Sequence, residues 1–240
     1  MSNIYESAAV VAEYLLFHYG KAEEVLPWKD GPRAALGFAA RIVERFSCGE
    51  ARRALDLGCA VGRSSFELSR TTGEVLGIDY SEALIAAARS MQEAGRVETS
   101  RLEEAHRSKP LVLEAAEEWH PERVRFEQGD AMNLREDLGA FDRVLAANLL
   151  CRLSDPQRLL DRLPSLVRSG GELILTTPCT WLEEFTPPEN WPPGGTFPWL
   201  CSRLEADFEL LEEHDEPFLI RETARKFQWT VALLTKWRRK

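Results

Sequence analysis

The 240-residue sequence lacks the features that mark membrane-spanning and disulfide-bonded proteins. No stretch approaches the roughly 20 apolar residues of a membrane span, and the first residues lead into a charged amphipathic segment rather than a signal peptide. The five cysteines are odd in number and widely spaced, without a C-x-x-C pair. They predict reduced thiols, with neither a disulfide framework nor a metal site. We therefore expect a cytoplasmic protein that has no membrane partner.

Clustered positive charge is also missing. The formal net charge is −9, and the short basic run at the C-terminal end reads as a solvated tail. Because nucleic-acid binders track phosphates with clustered lysine and arginine, this balance argues against a nucleic-acid partner. A small-molecule substrate is expected instead, and the sequence leaves the oligomeric state open.

The sequence lacks the Gly-x-Gly-x-x-Gly pattern of nicotinamide-binding folds, but a related pattern is present. In R-A-L-D-L-G-C-A-V-G-R-S-S at 53–65, an apolar run ends at Asp56 and turns through Gly58 and Gly62 into a helix-like segment. A second apolar run ends at Asp79. A strand, a tight turn, a helix and a second strand in this order are typical of a site for an adenosine-containing cofactor.

Strand-like and helix-like segments alternate along the middle of the chain, which favours a parallel sheet with helices on both faces. With 44% hydrophobic residues, the chain suffices for one α/β core but not for a second large domain. We expect a doubly wound, seven-stranded, mostly parallel sheet. The predicted strands are residues 53–57, 74–78, 123–127, 143–147, 172–177, 208–213 and 228–237.

Three segments complete the predicted domain. Helices over 3–19 and from Asp30 to Phe46 form an N-terminal helical cap. A charged insertion at about 93–122 is predicted as a solvated helical segment that adds nothing to the chemistry. The Pro- and Trp-rich loop at 178–198 is interpreted as a substrate lid. The single domain of residues 1–240 thus divides into the cap (1–50), the cofactor-binding core (51–178), and the lid with the last two strands (179–240).

The D-x-G-x-A-x-G spacing resembles motif I of class I S-adenosylmethionine-dependent methyltransferases, with Ala60 where many members carry a glycine. The resemblance implies a Rossmann-like fold, S-adenosylmethionine as cofactor and S-adenosylhomocysteine as product. It also implies that Asp79 binds the ribose hydroxyls, that Asp130 meets the adenine amine and that Asp56 reaches the ammonium group through water. The implied cofactor-binding residues are Asp56, Gly58, Cys59, Ala60, Gly62, Arg63, Asp79, Tyr80, Asp130, Ala131 and Asn148.

Segments at both ends of the chain carry a more specific resemblance. The runs E-Y-L-L-F-H-Y-G at 13–20, T-W-L-E-E-F-T-P at 180–187 and R-E-T-A-R-K-F-Q-W at 221–229 are similar to the 4-mercaptohistidine (5-thiohistidine) N-methyltransferases of ovothiol biosynthesis. The implied reaction methylates the π ring nitrogen, the one nearest the main chain. Members of that family are either joined to a sulfoxide synthase or separate from it. We expect the separate form, with the sulfoxide synthase of the same pathway as a functional partner.

The implied reaction assigns roles to further side chains. The attacking nitrogen must keep its lone pair, so a group that removes or holds the ring proton would help, and Glu183, Glu184 and His18 are the unranked candidates. The acceptor is an amino acid, whose carboxylate calls for a cation and whose amine calls for an acceptor. Arg225 and Lys226 are further candidates for its carboxylate, and Glu222 for its amine. The predicted substrate-binding residues are Tyr14, Tyr19, Asn148, Trp181, Glu183, Arg221 and Trp229.

Other interpretations stay open at this level. The chain could methylate another small-molecule N, S or O nucleophile, because this fold hosts many acceptors. A nicotinamide-dependent oxidoreductase and a cofactor-binding protein without turnover are the remaining alternatives. Individual residues have structural alternatives as well: Asn148 could cap the next turn, the histidine and aromatic candidates could only pack the core, and Arg221 could pair with Glu222.

Overall fold

The protein is organised around one large β-sheet. The computed structural model describes residues 4–240. Within that range the strands are β1 (Ala51–Leu57), β2 (Thr72–Asp79), β3 (Arg96–Glu104), β4 (Arg107–Glu114), β5 (Val124–Gln128), β6 (Phe141–Ala147), β7 (Val167–Thr177), β8 (Phe208–Arg221) and β9 (Phe227–Arg239). The α-helices are α1 (Ala8–Tyr19), α2 (Ala22–Val25), α3 (Phe38–Val43), α4 (Arg63–Ser69), α5 (Glu82–Ala94), α6 (Pro156–Leu166) and α7 (Thr196–Leu204).

Seven strands form the main sheet in the order β5-β2-β1-β6-β7-β9-β8. The first five run parallel to one another, and β9 pairs antiparallel with both β7 and β8. The predicted seven-stranded, mostly parallel sheet is thus confirmed. The carboxyl ends of the five parallel strands meet at one edge, called the carboxyl edge below, where open α/β sheets bind their ligands.

The central strands are buried along most of their length because helices cover both faces of the sheet. In β6 the six residues from Phe141 to Ala146 are all buried. In β1 the buried positions are 54–57, and Asp56 is the one charged residue among them. Among residues 4–240, no helix has both the length and the apolar character that crossing a membrane requires.

The N-terminal segment is helical, but in shorter pieces than predicted. Helix α1 begins after Ser7, whose side chain accepts a hydrogen bond from the main-chain N–H of Val10, and it ends at Gly20. Asn3, the predicted start, lies outside the described residues. The second predicted helix is split, since Gly37 has a φ of 68° and separates a short 3-10 turn from α3. A left-handed residue at that position ends one helical segment before the next begins.

The charged insertion is a β-hairpin, so the prediction of a solvated helix was wrong. Strands β3 and β4 pair antiparallel, and along β3 exposed residues alternate with less exposed ones. Leu111 and Leu113 of β4 are buried. This period of two is the pattern of a half-buried strand, and it decides the structure despite the charge content. Trp119, which follows the hairpin, is 6% exposed and stacks on Phe66, so the insertion contributes to the core.

Strands β8 and β9 continue past the carboxyl edge as a two-stranded ribbon. β9 pairs with β7 only from Leu233 onward, whereas it pairs with β8 from Phe227, opposite Arg221. The end of this ribbon meets the β3–β4 hairpin, where Arg221 pairs with Glu103 at 3.1 Å and the N–H of Ala224 donates to the Glu103 carbonyl. Helix α1 packs against the ribbon and the hairpin. These three elements flank the carboxyl edge.

Candidate active site

A glycine loop joins β1 to α4 at the carboxyl edge. Gly58, Ala60 and Gly62 have φ angles of 72°, 49° and 88°, and the N–H of Gly58 donates to the Ile78 carbonyl at 2.8 Å. A Cβ at position 62 would lie 2.6 Å from the ring of Phe126. Glycine is therefore required at position 62 by its positive φ and by the packing of a ring from β5.

Asp79 ends β2 beside this loop. Its two carboxylate oxygens accept hydrogen bonds from the main-chain N–H groups of Ala60 and Ser81, each at 2.9 Å. Burial raises the pKa of the Asp79 carboxyl, although these hydrogen bonds act in the opposite direction. Each oxygen can accept a further hydrogen bond. The side chain therefore fits a ligand with two adjacent hydroxyl groups, as the ribose prediction requires.

Asp56 lies one strand away and is 1% exposed. Its carboxylate accepts a hydrogen bond from the Ser65 hydroxyl at 2.7 Å. Burial raises the pKa of Asp56 to about 7, and the charge of Asp79 adds to the increase. A buried carboxylate of this kind is stabilised by a cation nearby. The pair of carboxylates thus fits the positively charged end of a sulfonium cofactor.

The third strand-end carboxylate, Asp130, follows β5. Its Oδ1 accepts a hydrogen bond from the N–H of Met132 at 2.8 Å, which leaves Oδ2 for a ligand. The other predicted cofactor residues differ in exposure: Cys59 and Ala131 are buried, whereas Tyr80 is 65% exposed. Burial raises the pKa of the Cys59 thiol well above its ordinary value, so the thiol is protonated and acts as a packing group.

Asn148 follows β6 with a left-handed φ of 53°. Its N–H donates to the Thr176 carbonyl at 2.8 Å, and its side-chain oxygen accepts from the Thr176 hydroxyl at 3.0 Å. Within residues 4–240 the side-chain amide nitrogen of Asn148 donates no hydrogen bond. Asn148 therefore fixes the turn after β6 and also carries a hydrogen-bond donor that a ligand could use.

His18 on α1 does not have the properties of a general base. Its ring stacks on Tyr14 with a centroid distance of 5.9 Å, and within residues 4–240 its buried Nδ1 has no hydrogen-bond partner. Burial, helped by the Arg63 charge, lowers the pKa of His18 to about 3. The imidazole is therefore neutral at physiological pH and weakly basic, which corrects its predicted role in proton removal.

Tyr19 supports the glycine loop from the side of α1. It is 6% exposed, and its hydroxyl donates to the Val61 carbonyl at 2.6 Å. Arg63, predicted to bind the cofactor, donates to the His18 carbonyl and lies 4.6 Å from the ring of Trp119. Tyr19 therefore holds the glycine loop, and its contact with the acceptor stays a prediction.

Three predicted site residues lie in the lid: Trp181 is held in place, whereas the carboxylates of Glu183 and Glu184 are exposed. The indole N–H of Trp181 donates to the Thr196 hydroxyl at 3.0 Å, and its ring meets Trp199 edge to face at 6.0 Å. Glu183 and Glu184 lie exposed in the turn that follows Trp181. The lid thus presents its carboxylates to solvent at the carboxyl edge.

Arg221 and Trp229 lie on the ribbon and are not brought to the strand-end carboxylates. Arg221 is 4% exposed, donates to the Glu24 carbonyl at 2.6 Å and pairs with Glu103 rather than with Glu222. Trp229 is 58% exposed and lines a surface groove of about 420 Å³ with Trp28. The predicted role of Arg221 in binding the acceptor is corrected by this burial and pairing.

The neighbouring candidates lie at the turn of the same ribbon. Lys226 pairs with Glu222 at 2.5 Å, and the Arg225 guanidinium lies 5.7 Å from the ring of Trp28. All three side chains thus make contacts within or beside the ribbon.

Arg152, which is not among the predicted site residues, ends the 3-10 turn that follows β6 at the carboxyl edge. Its guanidinium lies 4.7 Å from the ring of Phe185 in the lid and donates to the Thr180 carbonyl. Burial raises the pKa of Tyr14 on α1, and the charges of Arg152 and Asp79 act on it in opposite directions. In the sequence, the signal for Arg152 is a positive charge five residues after the predicted strand at 143–147.

Comparisons with known proteins agree with this geometry. Residues 49–216 match the family described as "Methyltransferase domain". Methyltransferase GfsG of Streptomyces halstedii is 27% identical over 161 residues, 66% of this chain and 49% of that protein. The ubiquinone biosynthesis O-methyltransferase of Coxiella burnetii is 25% identical over 126 residues, 52% of this chain and 43% of that protein. The matches thus span less than half the length of these relatives.

A solved structure gives the same fold. The N-methyltransferase NodS from Bradyrhizobium japonicum, in complex with S-adenosylhomocysteine, superposes with a TM-score of 0.58 at 15% identity, over 95% of this chain and 98% of that one. The family match covers most of the chain, including the glycine loop and all three strand-end carboxylates. This chain therefore belongs to the methyltransferase domain family.

Proposed function

We propose that the protein transfers a methyl group to the π ring nitrogen of 5-thiohistidine and so forms ovothiol. The proposal is supported by the resemblance of three segments, at 13–20, 180–187 and 221–229, to thiohistidine N-methyltransferases. The methyltransferase family match supports the reaction class and leaves the acceptor to these segments.

One observation carries the proposal: segments far apart in the sequence flank the same edge of the sheet. Phe185 from the second segment lies 4.7 Å from the Arg152 guanidinium, whose charge acts on the pKa of Tyr14 from the first segment. The ribbon that carries the third segment packs against α1. Ligands of open α/β sheets bind outside this edge, next to Asp79. The resemblance in the first two segments therefore falls on elements that flank a possible acceptor position.

The reaction requires little covalent chemistry from the protein. Bound S-adenosylmethionine supplies an electrophilic methyl group on a sulfonium. The chain must hold the acceptor nitrogen in line with that methyl group and exclude water, so proximity and orientation supply most of the rate enhancement. Because His18 is a weak base, the lid carboxylates Glu183 and Glu184 remain the candidates for taking the ring proton.

The direct test incubates the purified protein with S-adenosylmethionine and 5-thiohistidine, histidine or ergothioneine in separate reactions. Mass spectrometry should detect a singly methylated product from 5-thiohistidine, and NMR should place the methyl on the π nitrogen. Glu183→Gln should slow the transfer and leave S-adenosylhomocysteine binding unchanged if Glu183 takes the proton. Efficient methylation of a different acceptor, with no product from 5-thiohistidine, would reject the proposal.

A further inference from the structure

We infer that Arg152 binds the carboxylate of the acceptor, so that acceptors with a carboxylate have a lower KM than acceptors without one. This inference rests on the proposed function, since it concerns how the same site recognises an amino acid. It moves carboxylate recognition from the ribbon, where Arg221 was expected to provide it, to the turn after β6.

The first argument is the absence of a charged partner. Arg63 pairs with Glu67 at 2.7 Å, and Arg221 pairs with Glu103 at 3.1 Å. Within residues 4–240, Arg152 makes no such pair: its hydrogen bonds all come from Nη1 and go to two carbonyl groups and a cysteine sulfur. Its Nε and Nη2 groups are thus available to a ligand. These two groups form the side of the guanidinium that binds a carboxylate through two parallel hydrogen bonds.

The second argument is pre-organisation. The guanidinium lies over the ring of Phe185, and Nη1 is held by the carbonyls of Cys151 and Thr180. A half-buried arginine held on an aromatic face loses less side-chain freedom when it binds an anion. The guanidinium is therefore held against the lid by Phe185 and Thr180.

The third argument is electrostatic. Asp56, Asp79 and Asp130 lie at the ends of neighbouring strands and attract cationic groups while they repel a carboxylate. Arg152 lies beyond the next strand, β6, and supplies positive charge on the acceptor side. An amino acid would therefore be oriented with its carboxylate toward Arg152 and away from the strand-end carboxylates.

The test compares two acceptors in three proteins. The acceptors are 5-thiohistidine and the same thioimidazole without its carboxylate, and the proteins are the wild type, Arg152→Met and Arg152→Lys. For Arg152→Met we expect KM for 5-thiohistidine to rise about 10- to 100-fold, the range of a lost charged hydrogen-bond pair. KM for the decarboxylated acceptor should change less than about twofold, because that acceptor never engages the arginine. Arg152→Lys should recover part of the loss.

Two controls separate this role from others. Arg158→Met removes an exposed arginine on the neighbouring helix α6 and should leave both KM values unchanged. Calorimetry with S-adenosylhomocysteine should give the same affinity for the wild type and Arg152→Met, since the cofactor also carries a carboxylate that Arg152 could bind.

The outcomes are distinguishable. An equal loss for both acceptors, or a matching loss of S-adenosylhomocysteine affinity, would overturn the inference while the proposed function stands. Equal kcat/KM values of the wild type for the decarboxylated acceptor and for 5-thiohistidine would also overturn the inference. If the wild type gives no product from 5-thiohistidine, the proposed function fails and the inference fails with it.

Discussion

The two halves of the carboxyl edge are built from contacts of different kinds. On the cofactor half, each strand-end carboxylate accepts a hydrogen bond from a group no more than 19 residues away along the chain. On the acceptor half, Arg152 lies over the ring of Phe185 in the lid, and its charge acts on the pKa of Tyr14 in α1, so distant parts of the sequence are involved. The first half is therefore fixed by local turns, whereas the second depends on how the cap and lid pack.

The largest expected effect breaks the cofactor half alone. Asp79→Lys places a cation where two ribose hydroxyls are expected, and it removes the acceptor of two main-chain hydrogen bonds. We expect S-adenosylhomocysteine affinity to fall by at least about 100-fold, measured by calorimetry, while the cap and lid stay folded. Asp137→Lys is the matched control, because that side chain is 82% exposed. Equal affinities for the wild type and Asp79→Lys would contradict the placement of the ribose.

The next effect tests how strongly the glycine loop is fixed. Gly62→Ala must accommodate both a φ of 88° and a Cβ at 2.6 Å from the Phe126 ring. We expect a loss of about 2–4 kcal/mol in the free energy of unfolding, measured by urea denaturation.

Gly95 provides the control for this change. It also has a positive φ, of 66°, but a Cβ there would meet no atom within 4 Å. Gly95→Ala should therefore cost only about 1–2 kcal/mol, the backbone term alone. If the two variants lose the same stability, the Phe126 contact has no energetic role.

The smallest effect sharpens the electrostatic side of the comparison. The folded-state pKa of Asp56 is raised from 3.8 to about 7, so the folded protein holds a proton that the unfolded chain has released. Asp56 should therefore reduce the stability of the cofactor-free protein as pH rises from about 4 to 7, so the Tm of the wild type should fall relative to that of Asp56→Asn over this range.

The cationic cofactor should reverse this trend in binding. A sulfonium favours the ionised carboxyl, so S-adenosylmethionine affinity should increase about 3- to 10-fold between pH 5.5 and 7.5. S-adenosylhomocysteine lacks the sulfonium charge and should show a smaller increase, and Asp56→Asn should respond weakly to pH with either ligand. An unchanged pH response in the variant would mean that another group is responsible.

The difference between the halves also explains what the sequence could predict. The strand that ends at Asp79 and the turn through Gly58 and Gly62 are encoded by neighbouring residues, so the sheet and its loop followed from local patterns. The β3–β4 hairpin was not predicted, because its many charged residues are also typical of a solvated helix. The alternation that buries Leu111 and Leu113 is the pattern that specifies strands. Local patterns carry no information about contacts between distant segments.

Single acceptor-side residues were less predictable for the same reason. The Arg221 guanidinium could bind a carboxylate, but it already pairs with Glu103 of the hairpin. Tyr19 has a suitable ring, but its hydroxyl is bonded to the Val61 carbonyl. Arg152 is distinguished by its contact with the lid ring of Phe185, which no local sequence pattern encodes.

The contact of Gly62 with the Phe126 ring also sets a distance. Phe126 lies two residues before the end of β5, and Asp130 follows that strand, while the loop that starts at Gly58 donates a hydrogen bond to Asp79 through Ala60. The ring therefore ties together the two segments that position Asp79 and Asp130. With the predicted roles of Asp79 and Asp130, their separation would set which nucleosides can reach both carboxylates at once.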